Sequence, residues 1–133
     1  MELINSSTLY SLFRHGLQWL GNLRRAKRAR LEESVEALRQ VITAARETAV
    51  YLRQVKEAGK PDHSVERHLT ILWTRLGFTL QDLGIMKLAK RCQVTGMRWA
   101  DPSRFDKDFL DKADVSLERM ERLARAILAE IEP

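Results

Sequence analysis

Apolar residues recur at three- and four-residue spacing along most of this chain, the rhythm of a helix that hides one side. No segment shows the two-residue alternation of a strand. The clearest stretch runs from about Leu23 to Ala58. Leu31, Val35, Leu38, Ile42, Ala45, Ala49 and Leu52 step by alternate fours and threes, a heptad seam with Glu and Arg on the remaining faces. Gly59, Lys60 and Pro61 then stop it, glycine just past the end and proline beyond. A following segment opens near Asp62 or Ser64 and carries Val65, Leu69, Leu72, Leu76, Leu80 and Leu83 on successive turns, with Gly84 ending or kinking it. Ile85, Leu88, Ala89 and Cys92 predict a shorter helix to about Val94 that stops near Gly96, and Asp101-Pro102 is a boundary. The last helix is predicted from about Asp106 to Glu130, through Phe109, Ala113, Leu117, Met120, Ala124, Ile127 and Ile131. Asp106, Asp108 and Asp111 place negative charge at the positive end of its dipole.

Ahead of these lies a predicted N-terminal helix from about Thr8 to Leu20, with Ser6, Ser7 and Thr8 as capping hydroxyls and Gly21-Asn22 as the expected break. Leu9, Leu12, Phe13, Leu17 and Leu20 form its apolar stripe, and Tyr10 and Trp19 broaden it. The whole pattern predicts an all-α fold: an antiparallel up-down bundle of about four main helices. Three would be long rods, with the middle (third) helix kinked or broken near Gly84, and the N-terminal helix would be a shorter member. Residues 1–133 read as one helical-bundle domain, in which the amphipathic stretch and basic run over 8–30 are partly independent.

Composition narrows the class. At 133 residues and 44% hydrophobic, the chain has enough apolar material for a core without a metal or disulfide staple. One cysteine, Cys92, cannot form an internal disulfide, which fits a reducing compartment. Residues 1–5 do not resemble a signal peptide and no run is long enough for a membrane span, so a cytoplasmic location is expected. The net charge of +5 is unevenly spread. Residues 1–60 carry eleven Lys/Arg against six Asp/Glu, residues 61–100 six against three, and residues 101–133 six against nine. A basic front and an acidic tail suit an anionic partner at one end or head-to-tail association.

Candidate chemistry is sparse. His63 and His68 are five apart and His15 stands in another segment, which is the wrong spacing for a helical metal pair. Cys92 lies among Lys87, Lys90 and Arg91, a setting that can activate a thiol, but its place beside Leu88 and Ala89 predicts a core position. Walker and G-x-G-x-x-G loops are absent, so no cofactor, no metal and no catalytic residue is expected, and the chain is read as non-enzymatic. Trp73 is expected in the core and Trp99 in a packed loop.

Two features point to binding. Arg24, Arg25, Lys27, Arg28 and Arg30 put five cations in seven residues, an anion or nucleic-acid contact that Lys87, Lys90 and Arg91 could join. Leu9, Leu12, Phe13, Leu17, Trp19 and Leu20 are candidate partner-facing apolar residues. With the basic run behind them, they also resemble an interfacial helix for an anionic membrane surface. The leading expectation is an interaction module that self-associates into a homo-oligomer or docks a protein partner. Nonspecific nucleic-acid binding and peripheral membrane association over 8–30 are the alternatives, and no small-molecule substrate is evident.

Overall fold

The computed structural model describes residues 14, 28–101 and 107–131, with the backbone alone at 28 and 107–115. Apart from Arg14, the expected helix over 8–20 lies outside the described residues, as do its Gly21-Asn22 break and Pro102 of the Asp101-Pro102 boundary. Among those that are described the fold is all-α, without strands: α1 (Arg28–Ala58), α2 (His63–Asp82), α3 (Met86–Trp99) and α4 (Lys107–Ile131). The most extensive helix pairing is α2 with α3, followed by α1 with α4, while α1 with α2 and α3 with α4 close the bundle. One cluster of buried side chains draws on all four helices.

The heptad seam of α1 lies one step from its expected register. The buried row is Ser34, Leu38, Val41, Ala45, Thr48, Leu52 and Val55, with Ala37, Ala44 and Tyr51 beside it. Leu31, Val35 and Ile42 sit at its edge and Ala49 is exposed, so only Leu38, Ala45 and Leu52 of the expected seam lie at its centre. Two polar residues obscured the register because each has its hydroxyl satisfied inside the core. Ser34 Oγ donates to Arg30 O at 2.8 Å and Thr48 Oγ1 to Ala44 O at 2.7 Å. The Thr48 oxygen also accepts from Trp73 Nε1 at 2.9 Å, which pairs the largest fully buried side chain with a buried acceptor.

The α1–α2 connection is pinned at both ends. Gly59, at φ 71°, ends α1, and Asp62 caps α2 by accepting from Ser64 N and Val65 N at 2.9 and 3.3 Å. Tyr51 reaches over from α1: its phenol oxygen accepts from Asp62 N at 2.7 Å and its hydroxyl donates to Glu66 Oε2 at 3.2 Å. Trp99 meets the Tyr51 ring edge-on, with centroids 5.7 Å apart. Burial, reinforced by the neighbouring Glu66 carboxylate, pushes the Tyr51 phenol up to about 12.

The break expected near Gly84 is present, and there the chain reverses instead of kinking. Leu83 caps α2, Gly84 at φ 82° follows, and the N–H groups of Ile85 and Gly84 bond Leu80 O and Gln81 O at 2.9 and 3.0 Å. This is a Schellman closure, with Ile85 and Leu80 both buried as its apolar contact. α3 therefore folds back along α2 as a helical hairpin.

The hairpin also corrects the reading of Gly96. α3 passes through it and ends at Trp99, so Met97, Arg98 and Trp99 are helical and Trp99 is buried at the helix end instead of in a loop. Gly96 and Gly77 are where the helices touch. A Cβ on Gly96 would lie 2.5 Å from Thr74 Oγ1 and 3.1 Å from Thr74 N; one on Gly77 would lie 2.5 Å from Gln93 Cγ and 3.1 Å from Gln93 N.

Two outcomes follow. Alanine in an open helix interior gains roughly 1 kcal/mol over glycine, but overpacking costs about 1–3 kcal/mol. Gly96→Ala is therefore expected to lose up to about 2 kcal/mol in urea unfolding, because the stiff β-branched Thr74 has little room to give. Gly77→Ala should lose less, since the unbranched Gln93 can shift. Equal or greater stability for Gly96→Ala would contradict the close approach. For Tyr51, the folded-state value lies above the ordinary 10.0. Its contribution is thus complete below about pH 10 and is lost as pH rises towards about 12. Unfolding curves across that window should fall for the wild type and fall less for Tyr51→Phe. At neutral pH the variant should be less stable by about 1–3 kcal/mol, because Asp62 N–H and the buried Glu66 carboxylate lose a partner.

Candidate functional site

The histidines are tied to carboxylates. His63 Nδ1 lies 3.1 Å from Glu66 Oε1 and His68 Nε2 lies 2.7 Å from Glu47 Oε2, on separate turns of α2. His15 lies outside the described residues, among which no group of three or more His, Cys, Asp or Glu is placed to hold a metal ion. Cys92 is fully buried, and burial pushes its thiol up to about 12, the opposite of the activation its cationic sequence neighbours suggested. Lys87 and Lys90 project to solvent from the far side of the helix, so their charge does not reach the sulfur.

Of the basic residues singled out by sequence, Arg24, Arg25 and Lys27 lie outside the described residues, as does the side chain of Arg28. Arg30 is exposed and its Nη2 donates to Asp82 O at 2.8 Å. This places a cation on the carbonyl end of α2 and joins the start of α1 to the hairpin turn. On α3, Lys87 and Lys90 are exposed and Arg91 is half-buried. The apolar candidates Leu9, Leu12, Phe13, Leu17, Trp19 and Leu20 all lie outside the described residues. No described helix is long and apolar enough to cross a membrane.

Between α1 and α4 lies a cavity of about 200 Å³ lined by Ala45, Arg46, Ala49, Leu117, Glu118, Glu121 and Arg122. Arg46 Nε and Arg125 Nε donate to the two oxygens of Glu121 at 3.3 and 3.0 Å. Partial burial pushes the Glu121 carboxyl up, but the hydrogen bonds and charges of Arg46 and Arg125 outweigh it and hold the group below the usual carboxylate range. With both its oxygens engaged by cations, this carboxylate is a strut between helices and is poorly disposed to accept a proton from a substrate.

A more distinctive surface lies on the α2–α3 hairpin, at positions with no assigned role in the sequence analysis. In α2 the residues facing the core, the α3 seam and the outside follow one another in order: Leu69-Thr70-Ile71 and Leu76-Gly77-Phe78. In α3 the same order appears in Cys92-Gln93-Val94 and Thr95-Gly96-Met97. Each step turns 100° about the helix, so in an antiparallel pair that shares one core side both outer rows emerge on the same opposite face. That face carries Phe78 (57% exposed), Met97 (72%), Met86 (57%), Ile71 (39%) and Val94 (38%). Across its middle, Gln93 Nε2 donates to Gln81 Oε1 at 2.9 Å.

The signal was present in the sequence: Ile71 and Phe78 stand two places beyond the core leucines Leu69 and Leu76, outside the stripe that α2 buries. The same holds for Val94 and Met97 relative to Cys92 and Thr95. It is not legible from sequence alone because the positions between each pair gain a neighbour only when α3 folds back along α2.

Because the chain holds a single cysteine, thiol labelling tests the Cys92 environment directly. A thiol reagent is expected to leave the native protein unlabelled and to react only in denaturant. Stoichiometric labelling of the native state at neutral pH would contradict the buried, protonated thiol.

No protein-family model matches this chain, and no curated protein or solved structure matches it either, so the functional reading rests on its own residues.

Proposed function

We propose that this protein is a non-enzymatic interaction module that docks a protein partner on the outer face of the α2–α3 hairpin. The observation that carries the reading is the gathering of Ile71, Phe78, Met86, Val94 and Met97, large apolar and exposed, on one side of a closely packed helix pair. Single exposed apolar residues are ordinary on protein surfaces, but a row of them along two adjoining helices is a surface with a use. Methionine at two of the positions suits such a face, since its unbranched thioether adapts to a partner's shape. Self-association through the same face is the form of this reading in which the partner is a second copy.

A second reading, nonspecific nucleic-acid binding, is favoured by one observation: α3 carries Lys87, Lys90, Arg91 and Arg98 and no acidic residue. It predicts affinity that falls steeply with salt and is lost in Lys87→Glu/Lys90→Glu.

For the leading reading, affinity capture and light scattering on the full chain are compared between wild type and the variants Phe78→Asp and Met97→Asp. Both side chains are exposed, so the variants should fold with wild-type circular dichroism and stability within about 0.5 kcal/mol. Partners or dimers seen with wild type should be absent with either variant. A monomer that retains nothing, or the same set retained by all three proteins, would refute the assignment.

A further inference from the structure

Resting on that docking reading, we infer that the partner element is an acidic amphipathic α-helix laid between the two outer rows of the α2–α3 hairpin. Charge complementarity is the first argument. Over residues 63–99 there are six Lys/Arg and two Asp/Glu, and one of those acids, Glu66, is buried against Tyr51. Asp82 is left as the exposed carboxylate of the hairpin. Arg75 and Lys90 rise among the outer-row apolar residues, and neither makes an ion pair among the described residues. By contrast α1 and α4 mix both signs along their lengths, so the positive excess of the described fold is concentrated on the helix pair that also exposes the apolar row.

Backbone chemistry selects a helix. A face made of two helices offers no free sheet edge, so a segment that buries itself there must satisfy its own N–H and C=O groups internally. Side-chain geometry fits as well. Gly77 and Gly96 keep the seam low, and Ile71 and Phe78 on one side and Val94 and Met97 on the other form two ridges with a valley between. α3 has 14 residues, about 21 Å of rise, which matches a partner helix of about four turns. The seam itself argues against a lipid surface: the Gln81–Gln93 pair and Thr74 occupy the middle of the face, and their unused amide and hydroxyl valences are costly in acyl chain but welcome beside a peptide.

The test uses the full chain and a display library of helical peptides of about 16 residues. One face carries fixed Leu and Phe, and the flanking positions are randomised among Glu, Lys, Gln and Ala. Selection should enrich Glu over Lys at the flanks. Anisotropy titration of a selected peptide should weaken by about tenfold or more in Phe78→Asp and in Arg75→Glu/Lys90→Glu. The double reversal should in turn bind the Lys version of that peptide.

Peptides that depend on Phe78 but show no Glu enrichment and no response to charge reversal would overturn the acidic-helix inference while leaving the docking reading intact. Failure to obtain any Phe78-dependent peptide, with no Phe78-dependent self-association either, would overturn both. Phe78-dependent binding to phosphatidylserine vesicles, to duplex DNA, or to a second copy in light scattering, without peptide binding, would overturn it in favour of lipid, nucleic acid or self-association respectively.

Discussion

The close approach of α2 to α3 at Gly77 and Gly96 is the constraint on which the rest of this arrangement depends. With no Cβ at either position, the backbone of each helix comes within van der Waals reach of the other, and Thr70, Thr74, Ala89 and Gln93 complete a seam of small or polar side chains. A seam of that kind excludes the large apolar residues. They are displaced to either side of it, one set towards α1 and the other towards solvent. The three-residue connection through Leu83, Gly84 and Ile85 makes this geometry compulsory, because so short a link between antiparallel helices leaves little freedom in how they pair.

The hairpin is held to the rest of the bundle by contacts of a different kind. Its inner side is apolar, with Leu69, Trp73, Leu76 and Leu80 from α2 and Leu88 and Cys92 from α3, but its position along α1 is fixed by directional bonds. Trp73 bonds Thr48, Tyr51 bonds Asp62 and Glu66, and Arg30 bonds the carbonyl of Asp82. These lie at the middle and the two ends of the α1–α2 pair. Apolar packing alone tolerates a slip of one turn, whereas a buried hydroxyl or indole N–H left without its partner does not. Thr48, Tyr51 and Arg30 thus set the register, and Thr48, a polar residue inside the seam, also makes that register hard to read.

How much could be read from the sequence follows the same division. Helical class, the stop at Gly59, the cap at Asp62, the end of α2 at Gly84 and the rhythm of α4 through Leu117, Met120, Ala124 and Ile127 are local features, encoded within a turn or two of where they act. What could not be read was relational. Gly84 looks the same whether it bends a rod or reverses it, and Gly96 looks like a stop until a neighbouring helix requires its missing side chain. Ser34 and Thr48 look like solvent-facing positions because a helix hydroxyl can satisfy itself on the carbonyl four residues back, a bond invisible to a hydrophobic pattern. The candidate surface is the least legible part: the basic run before Leu31 and the stripe from Leu9 to Leu20 carry the binding residues expected from sequence, and the outer rows of the hairpin carry none of them.

α2 makes the functional argument in its simplest form. A helix on the surface of a bundle needs one apolar stripe, facing the core. α2 has three adjoining stripes in rotation: Leu69, Trp73, Leu76 and Leu80 towards α1, Thr70, Thr74 and Gly77 against α3, and Ile71 and Phe78 beyond the seam. The first two have neighbours among the described residues and the third has none there that buries it. Nothing in the folding of the hairpin requires that third stripe, because Ile71 and Phe78 contribute neither to the core cluster nor to the glycine contact. Exposed Phe and Met among cations lower solubility and invite aggregation, a cost with no return in the isolated fold. A stripe that the described helices leave uncovered, continuous across two of them and set on their shared face, is the observation on which the proposed docking rests.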